Sequence, residues 1–354
     1  MRNLIILLLI CFFYGGSVYS QKVNPKKFVT IALAGDIMMG TDFPSDDYLP
    51  KNGGHDLFAD AASFIKKADC AFANLEGTLF DDSCAIKKCA VPESCYIFRT
   101  PVSYAAHLAD AGFDALSIAN NHVNDFGLEG RLSTMKALKE HGLSYSGQYG
   151  YCETAVFRRN GVVYGFCAFG HSVNTPNLND LDRVKKIVGK LRPKCDILVV
   201  SFHGGAEGSN YSRVPMEEEI FLGERRGDVS KFAHTCIDAG ADIVYGHGPH
   251  IARALELYKG HIIAYSLGNF CTPYRFSIKG LLGCAPLLVV NVNKSNGRFI
   301  SGKIHSFKQY KGVGPRADKT CEVAEHIRQL SLLDFPDSKW VITESGGISL
   351  VKQP

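Results

Sequence analysis

The sequence predicts an α/β protein in which two β-sheets pack together with helices outside them. The first half alternates short apolar runs with helical segments, and this alternation favours a parallel, right-handed wound sheet. The second half adds hairpins, and the turn at Asn160-Gly161 is the strongest hairpin signal. The chain has 354 residues, 46% of them hydrophobic, which is ample for a sizeable core.

Charge and composition narrow the function classes. The formal net charge is +4 and the lysines and arginines are scattered. No basic run is long enough to indicate a nucleic-acid or anionic-membrane patch. We therefore predict no nucleic-acid partner.

Residues 1–20 have the layout of a secretory signal peptide. Arg2 precedes an apolar core from Leu4 to Phe13, which small residues follow, and the core is too short to span a membrane. We predict cleavage before Gln21 and no transmembrane helix afterwards. A secreted, periplasmic or cell-envelope location follows.

Twelve cysteines are present, and in an exported protein some of them are expected to be paired. Cys84, Cys89 and Cys95 crowd one irregular insertion and are the strongest candidates for disulfides. The sequence does not determine their connectivity. With eleven cysteines after the leader, at least one thiol is left free or intermolecular.

Helices are predicted where apolar residues recur with helical spacing between a capping residue and a glycine or proline. Further hairpins are expected around Lys259-Gly260 and Ser295-Asn296-Gly297. The predicted helices cover about 56–67, 101–110, 128–141, 179–192, 228–239 and 321–333.

Five apolar runs typical of buried strands end in residues of metal-ligand type. In open α/β sheets, ligands bind outside the carboxyl ends of the strands, so these ends are expected to meet. Carboxylate, imidazole and amide-oxygen groups together suit a divalent metal. The predicted ligands are Asp36, Glu76, Asn121, His203, His247 and His250.

The segment from Tyr245 to His250 is central to this prediction. Gly248 and Pro249 keep the backbone out of a helix, so His247 and His250 are presented from one rigid turn. A glycine-aspartate pair such as the one at Asp36 is, by itself, usually only a turn. The co-occurrence of the other strand ends favours the metal interpretation.

Further residues are assigned chemistry around this site. Glu76 is the candidate to bridge two ions, and His122 to protonate a leaving group. Glu207 is expected to support a site histidine, with a solvated surface role as the alternative. Arg99 and Arg253 are predicted to contact an anionic substrate, because guanidinium pairs with carboxylate or phosphate at two points.

Seven short motifs resemble, in their order, the bacterial capsule-synthesis CapA family, also called poly-γ-glutamate synthesis proteins. The resemblance runs from about residue 28 to residue 307. The motifs are Gly35-Asp36, Asn74-Leu75-Glu76-Gly77-Thr78, Phe98-Arg99-Thr100-Pro101, Asn120-Asn121-His122, His203-Gly204-Gly205-Ala206-Glu207, Gly246-His247-Gly248-Pro249-His250 and Ser266-Leu267-Gly268-Asn269-Phe270.

That family resembles the calcineurin-like metallophosphoesterases, which implies a four-layer α/β/β/α sandwich with a dinuclear metal site. The resemblance implies that Asp36 and His250 hold one ion, while Asn121, His203 and His247 hold the other. Glu76 would bridge them. Asn269, in the last motif, is expected to contact substrate. The implied domain covers residues 28–310, with 311–354 as a C-terminal extension.

Two departures from the phosphoesterase pattern affect the metal expectation. Met38 stands where that pattern has a histidine, and Pro249 spaces the last two histidines three apart instead of two. A thioether is a poor ligand for a hard ion. One or two ions of Mn, Fe or Zn per chain are therefore expected, and none is the alternative.

The resemblance implies a role in capsule or poly-γ-glutamate metabolism, with an anionic polymer or a phosphoester as substrate and membrane-bound capsule-synthesis proteins as possible partners. One hypothesis is a metal-dependent hydrolase of a phosphoester or a γ-glutamyl polymer. The other is a non-catalytic factor that binds or exports the polymer with the same cleft. Met38 favours the second hypothesis, and the set of ligand types favours the first.

Overall fold

A computed structural model describes residues 27–84, 86–88 and 95–351. The predicted signal peptide, residues 1–20, lies outside these residues, as does Cys89. The cysteine pairing of the insertion therefore stays a prediction. Within the described ranges, no helix has both the length and the apolar character needed to cross a bilayer.

The strands and helices are numbered in chain order. The strands are β1 (Phe28–Ile37), β2 (Cys70–Leu75), β3 (Thr78–Leu79), β4 (Arg99–Thr100), β5 (Ala115–Ser117), β6 (Ser144–Ser146), β7 (Thr154–Arg159), β8 (Val162–Gly170), β9 (Ile197–His203), β10 (Glu219–Phe221), β11 (Glu224–Gly227), β12 (Ile243–His247), β13 (Leu255–Tyr258), β14 (His261–Ala264), β15 (Asn269–Cys271), β16 (Cys284–Asn293), β17 (Phe299–Tyr310), β18 (Gly314–Ala317), β19 (Trp340–Ile342) and β20 (Gly347–Leu350). The α-helices are α1 (Ala62–Ile65), α2 (Ala105–Ala111), α3 (Gly127–Glu140), α4 (Leu181–Leu191), α5 (Val229–Asp238) and α6 (Glu322–Asp334).

Two large sheets carry the fold. The first has the order β19-β20-β17-β16-β1-β2-β5-β6, with β15 also beside β1 and β18 beside β17. The second has the order β13-β14-β12-β9-β8-β7. The neighbours β1, β2, β5 and β6 are parallel, as are β8, β9, β12 and β14. The predicted alternation and hairpins are both confirmed.

The two sheets pack face to face through apolar side chains. Ile31 and Phe72 of the first sheet share one core with Phe166, Val199 and Tyr245 of the second. Burial of each such side chain contributes about 1.5–3 kcal/mol. Helices α1 to α3 cover the outer face of the first sheet, and α4 and α5 cover that of the second. The four-layer α/β/β/α arrangement is confirmed.

Capping explains where two of the predicted helices begin. The Asp180 carboxylate accepts a hydrogen bond from Arg183 N at 3.1 Å, and Asp228 accepts one from Lys231 N at 2.9 Å. Both side chains satisfy N–H groups that have no partner within the helix. Helices α4 and α5 therefore start directly after these residues, as the sequence predicts.

The helix predicted over 56–67 is largely absent, and only the single turn of α1 forms there. Arg316 donates hydrogen bonds to the carbonyl oxygens of Asp56 and Leu57, at 3.0 and 3.5 Å. The Asp56 carbonyl oxygen also accepts from Ala59 N at 3.2 Å, which is a turn bond rather than the i to i+4 bond of an α-helix. The segment thus combines turn bonding with contacts to a residue 260 positions away in the chain.

The described part of the predicted C-terminal extension, residues 311–351, contributes strands to the first sheet. Strands β18 and β20 both pair with β17, and β19 pairs with β20. This pairing covers edges of β17 that would otherwise expose unpaired N–H and C=O groups.

Candidate metal centre

The predicted ligands converge at the carboxyl ends of strands from both sheets. Asp36 is the second-last residue of β1, while His203 ends β9 and His247 ends β12. Strand register places Asp36 opposite both Asn74 and Asn269, and His203 opposite His247. Side chains distant in sequence thus lie together where the two sheets meet.

Two groups of side chains have the geometry to hold a metal ion. The first comprises Asp36, His203 and His247, and the second comprises Asp36, Glu76 and His250. Within each group the ligand atoms all lie within 4.8 Å of one another. His247 Nδ1 is 3.3 Å from Asp36 Oδ1, while His250 Nδ1 is 3.2 Å from Asp36 Oδ2. The two oxygens of one carboxylate therefore face the two groups.

The carboxylate common to both groups is Asp36, whereas the family resemblance implied Glu76 as the bridge. Glu76 shares a group with His250, whose Nε2 is 3.8 Å from Glu76 Oε1. The difference arises because Asp36 lies between the histidines of both groups.

The turn after β12 is shaped so that His250 faces back into the site. His250 has φ +59° and Gly248 has φ +109°. A Cβ at Gly248 would lie 3.1 Å from the His203 ring, and with φ +109° any side chain would be strained there. The Gly248 N–H donates to Asp36 Oδ2 at 3.2 Å, and His250 Nδ1 lies 2.9 Å from Asn269 Oδ1.

Several buried polar atoms of the site have no hydrogen-bond partner among the described residues. They include both carboxylate oxygens of Glu76, Asn121 Oδ1 and His203 Nε2. Leaving such atoms unpaired is costly, and native structures rarely do so. Carboxylate oxygen, amide oxygen and imidazole nitrogen are the donors that divalent ions accept. The residues present therefore fit a metal ion.

Burial and mutual charge set the protonation of the ligands. Burial raises the pKa of Asp36, but hydrogen bonds from His247 and His250 outweigh it and hold this pKa well below its usual value. Burial and the nearby Asp36 raise the pKa of Glu76 well above its usual value. Burial lowers the pKa of His203. The centre thus combines an ionised carboxylate, a carboxyl that resists ionisation and a neutral imidazole.

His122 lies beside the metal-ligand groups and is 6% exposed. Its Nδ1 is 2.9 Å from Asp125 Oδ2 and 3.3 Å from Lys87 Nζ. Burial lowers the pKa of His122, although Asp125 opposes this shift. The ring is fixed in orientation by these contacts, as a proton-transfer group requires.

Met38 is fully buried, and its sulfur accepts a hydrogen bond from Gly40 N at 3.3 Å. The Met38 thioether sulfur is thus already hydrogen-bonded to the backbone.

An open cleft of about 500 Å³ lies over the site. Asn121, His122, His250 and Glu207 contribute to its lining, so predicted metal and catalytic residues face one space. Glu207 Oε1 pairs with Arg226 Nη2 at 2.7 Å. Among the described residues, no hydrogen bond joins Glu207 to a histidine, so its predicted support of a site histidine stays a prediction.

The two arginines predicted to bind substrate have other partners. Arg253 is fully buried and donates two hydrogen bonds to Glu219, both at 2.8 Å. Because Arg253 is closed to solvent and already paired, the structure does not support its predicted contact with substrate. Arg99 Nε lies 2.6 Å from Asp42 Oδ1, and Arg99 is not among the residues that line the cleft.

Some supporting residues were missed by the sequence analysis. Asn74 donates to Asp36 Oδ1 at 2.8 Å, and Ser201 Oγ is 2.8 Å from His247 Nε2. Each lies two positions before a predicted ligand, Glu76 or His203. Strand side chains alternate, so that spacing puts both on one face and could have identified them.

Fold and site together define a class of protein: a four-layer α/β/β/α sandwich with a candidate metal centre at its strand ends. The same fold occurs in the crystal structure of a novel phosphatase from Mycoplasma pneumoniae. The TM-score is 0.52 at 14% sequence identity, covering 80% of this chain and 95% of that one.

The chain belongs to the family of bacterial capsule synthesis proteins PGA_cap, whose family model matches residues 30–274. It is 30% identical over 273 residues to the capsule biosynthesis protein CapA of Bacillus anthracis, covering 72% of this chain and 62% of that protein. It is 26% identical over 285 residues to the PGA biosynthesis protein CapA of Bacillus subtilis, covering 75% and 70% respectively. The family resemblance predicted from the seven motifs is confirmed.

Proposed function

We propose that this chain is an exported, metal-dependent hydrolase of capsule or poly-γ-glutamate metabolism that acts on a phosphoester or a γ-glutamyl polymer. One observation carries the proposal. Two overlapping ligand groups share Asp36, and unpaired buried acceptor atoms lie around them under an open cleft. The names of the two Bacillus relatives, which concern capsule and PGA biosynthesis, supply the metabolic context.

The expected cofactor is Mn, Fe or Zn, with one or two ions per chain. Asp36, His203 and His247 would hold one ion, and Asp36, Glu76 and His250 the other, with the Asn121 amide oxygen as a further donor. A bound divalent ion supplies an activated water and stabilises charge on the oxygens of the bond under attack.

The chain's own residues prepare the rest of the reaction. Asp125 holds the His122 ring at Nδ1, so that His122 can give a proton to the leaving group. Asn74 and Gly248 donate hydrogen bonds to Asp36 and keep its carboxylate oriented between the two groups. Asn269, predicted to contact substrate, is 1% exposed and does not line the cleft, so its role in this proposal is to orient the His250 ring through Oδ1.

A second function is favoured by Met38. The sulfur is held by Gly40 N where the phosphoesterase pattern has a metal-binding histidine. A chain that binds metal poorly could use the cleft to bind an anionic capsule polymer without cleaving it, as an export or assembly factor. Membrane-bound capsule-synthesis proteins would be its partners.

Asp36→Asn tests the proposal, because this one change affects both ligand groups. The mature chain, purified without a chelator or a metal-affinity column, would be analysed for Mn, Fe and Zn. It would then be assayed on bis(p-nitrophenyl) phosphate and on a γ-linked glutamate oligomer. The matched control is Asp182→Asn, whose carboxylate is 96% exposed.

We expect one to two equivalents of metal in the wild type and in the control, with hydrolysis of one substrate. Asp36→Asn should lose most of the metal and at least about 100-fold in rate, since weakening even the outer partners of metal ligands costs 10–100-fold. Equal hydrolysis by Asp36→Asn would disprove the proposed site. Absence of metal from the wild type, even after metal is added back, would leave the polymer-binding function.

A further inference from the structure

The cleft over the metal centre is lined by more basic than acidic side chains. Two of the basic residues are already paired: Lys87 Nζ is 2.5 Å from Asp125 Oδ1, and Arg226 Nη2 is 2.7 Å from Glu207 Oε1. The other two have no ion-pair partner within the described part of the chain. The four basic residues are Lys87, Lys88, Arg226 and Arg275.

Arg275 differs from Lys88 in being held in place. Its Cζ lies 4.9 Å from the centroid of the Tyr48 ring and 5.1 Å from that of the Tyr96 ring. Cation–π contacts of this kind fix a guanidinium without neutralising its charge. Arg275 Nε is buried and has no hydrogen-bond partner among the described residues. The cleft therefore presents an oriented and uncompensated cation.

The neighbouring residue links this cation to the metal centre. The Phe276 ring lies 4.9 Å from the His250 ring and 5.2 Å from the Phe98 ring. Phe98 in turn lies 4.2 Å from the His122 ring. Arg275 is thus attached to the same packed aromatic group as one predicted metal ligand and the predicted proton donor.

The backbone at Arg275 supports a functional interpretation. Arg275 has φ +68°, a conformation that residues other than glycine adopt rarely and at an energetic cost. No carboxylate in the described residues compensates for that cost by pairing with the guanidinium. The planar fork of an arginine matches the two oxygens of a carboxylate or phosphate.

We propose that Arg275 binds an anionic group of the ligand, a carboxylate or a phosphate, and so makes the cleft selective for anions. The proposal deepens the proposed function, because it names the group by which a substrate would be held. It takes the role that the sequence analysis assigned to Arg99 and Arg253. Binding through Arg275 does not require that the ligand is cleaved.

The test measures binding directly, by isothermal titration calorimetry on the mature chain as purified. The two probes are γ-linked triglutamate, which offers carboxylates, and inorganic phosphate. The variants are Arg275→Gln, Arg275→Lys and the control Arg158→Gln, which replaces an exposed arginine on β7. Thermal unfolding of each variant reports whether the fold is kept.

Arg275→Gln should weaken binding of at least one probe by about 10-fold or more, the usual size for a lost charge-assisted hydrogen bond. Arg275→Lys should fall between it and the wild type, because lysine keeps the charge but loses the two-point contact. The control should bind like the wild type. The probe that is affected identifies carboxylate or phosphate as the bound group.

Wild-type affinity of Arg275→Gln for both probes would overturn the proposal, as would a wild type that binds neither. If Arg275→Gln does not fold, Arg275→Lys decides, and unchanged binding by that variant is the negative result. Weakened binding without any hydrolysis in the wild type would support the Arg275 site and reject the hydrolase. The two proposals can therefore fail separately.

Discussion

The protein contains two buried groups of charged side chains whose charges are balanced in opposite ways. Arg253 and Glu219 form a two-point ion pair, and Glu219 Oε2 also accepts from Ala206 N at 2.8 Å. Around Asp36, by contrast, both Glu76 oxygens and His203 Nε2 lack hydrogen-bond partners among the described residues. Buried charges normally require pairing. The first group is complete within the protein, while the second fits an additional ligand.

Whether a buried charge is paired therefore distinguishes structural side chains from functional ones better than the residue type does. Both groups contain side chains that the sequence analysis took for functional ones. The Arg253 charge is satisfied by Glu219, and its guanidinium also donates to the Ala206 carbonyl oxygen in the loop after β9. The groups around Asp36 keep unpaired oxygen and nitrogen atoms, which fit the coordination of a metal ion.

The largest effect expected from breaking this contrast is on stability. Arg253→Met should lower the free energy of unfolding by about 3–5 kcal/mol, because it leaves Glu219 buried without its partner. Urea unfolding followed by circular dichroism would measure the change. Arg253→Met combined with Glu219→Leu should recover part of the loss. If Arg253→Met alone were as stable as the wild type, the Arg253–Glu219 pair would not be a stabilising feature of the fold.

Glu76→Gln should affect metal binding and leave the stability of the fold intact, in contrast to Arg253→Met. In chelator-treated protein it should leave the unfolding free energy unchanged or raised, because burial disfavours the ionised carboxylate and its oxygens have no hydrogen-bond partner among the described residues. Metal bound by the Asp36–Glu76–His250 group should weaken by about 100-fold or more. Competition with a fluorescent chelator would report the affinity. A marked loss of stability in the chelated variant would contradict the contrast.

Met38→His is expected to have the smallest effect, and it tests whether residue 38 belongs to the metal centre. An imidazole two residues after Asp36 offers a ligand that suits divalent ions better than a thioether. We expect metal affinity to rise by about 10-fold, equivalent to about 1.4 kcal/mol. Met38→Leu is the control, since it keeps the size without a ligand atom. Equal affinity of the two variants would place residue 38 outside the centre.

Much of the site could be predicted because its residues end strands. Asp36, His203 and His247 each follow an apolar run, and the carboxyl ends of parallel strands converge. The helices of the second sheet were equally visible, since Asp180 and Asp228 are local capping signals. These predictions depend only on residues close together in the sequence, so their spacing can be recognised without the structure.

Other features depend on partners far along the chain. The segment that begins at Asp56 does not form its predicted helix, and two of its carbonyl oxygens accept hydrogen bonds from the distant Arg316. Arg253 resembles a substrate ligand until Glu219 is found beside it. Arg275 follows no motif, and only the positions of Tyr48 and Tyr96 show that it is held in the cleft.

By itself the sequence determined the α/β class, the family resemblance and the ligand types at the strand ends, because periodicity and short motifs are local properties. Tertiary structure alone decided that Asp36 is shared by two groups and that Arg253 is neutralised. It also decided that Arg275 is left as a free cation within the described residues. The reason is physical: the state of a buried charge depends on which distant groups pack against it, and strand periodicity carries no information about those partners.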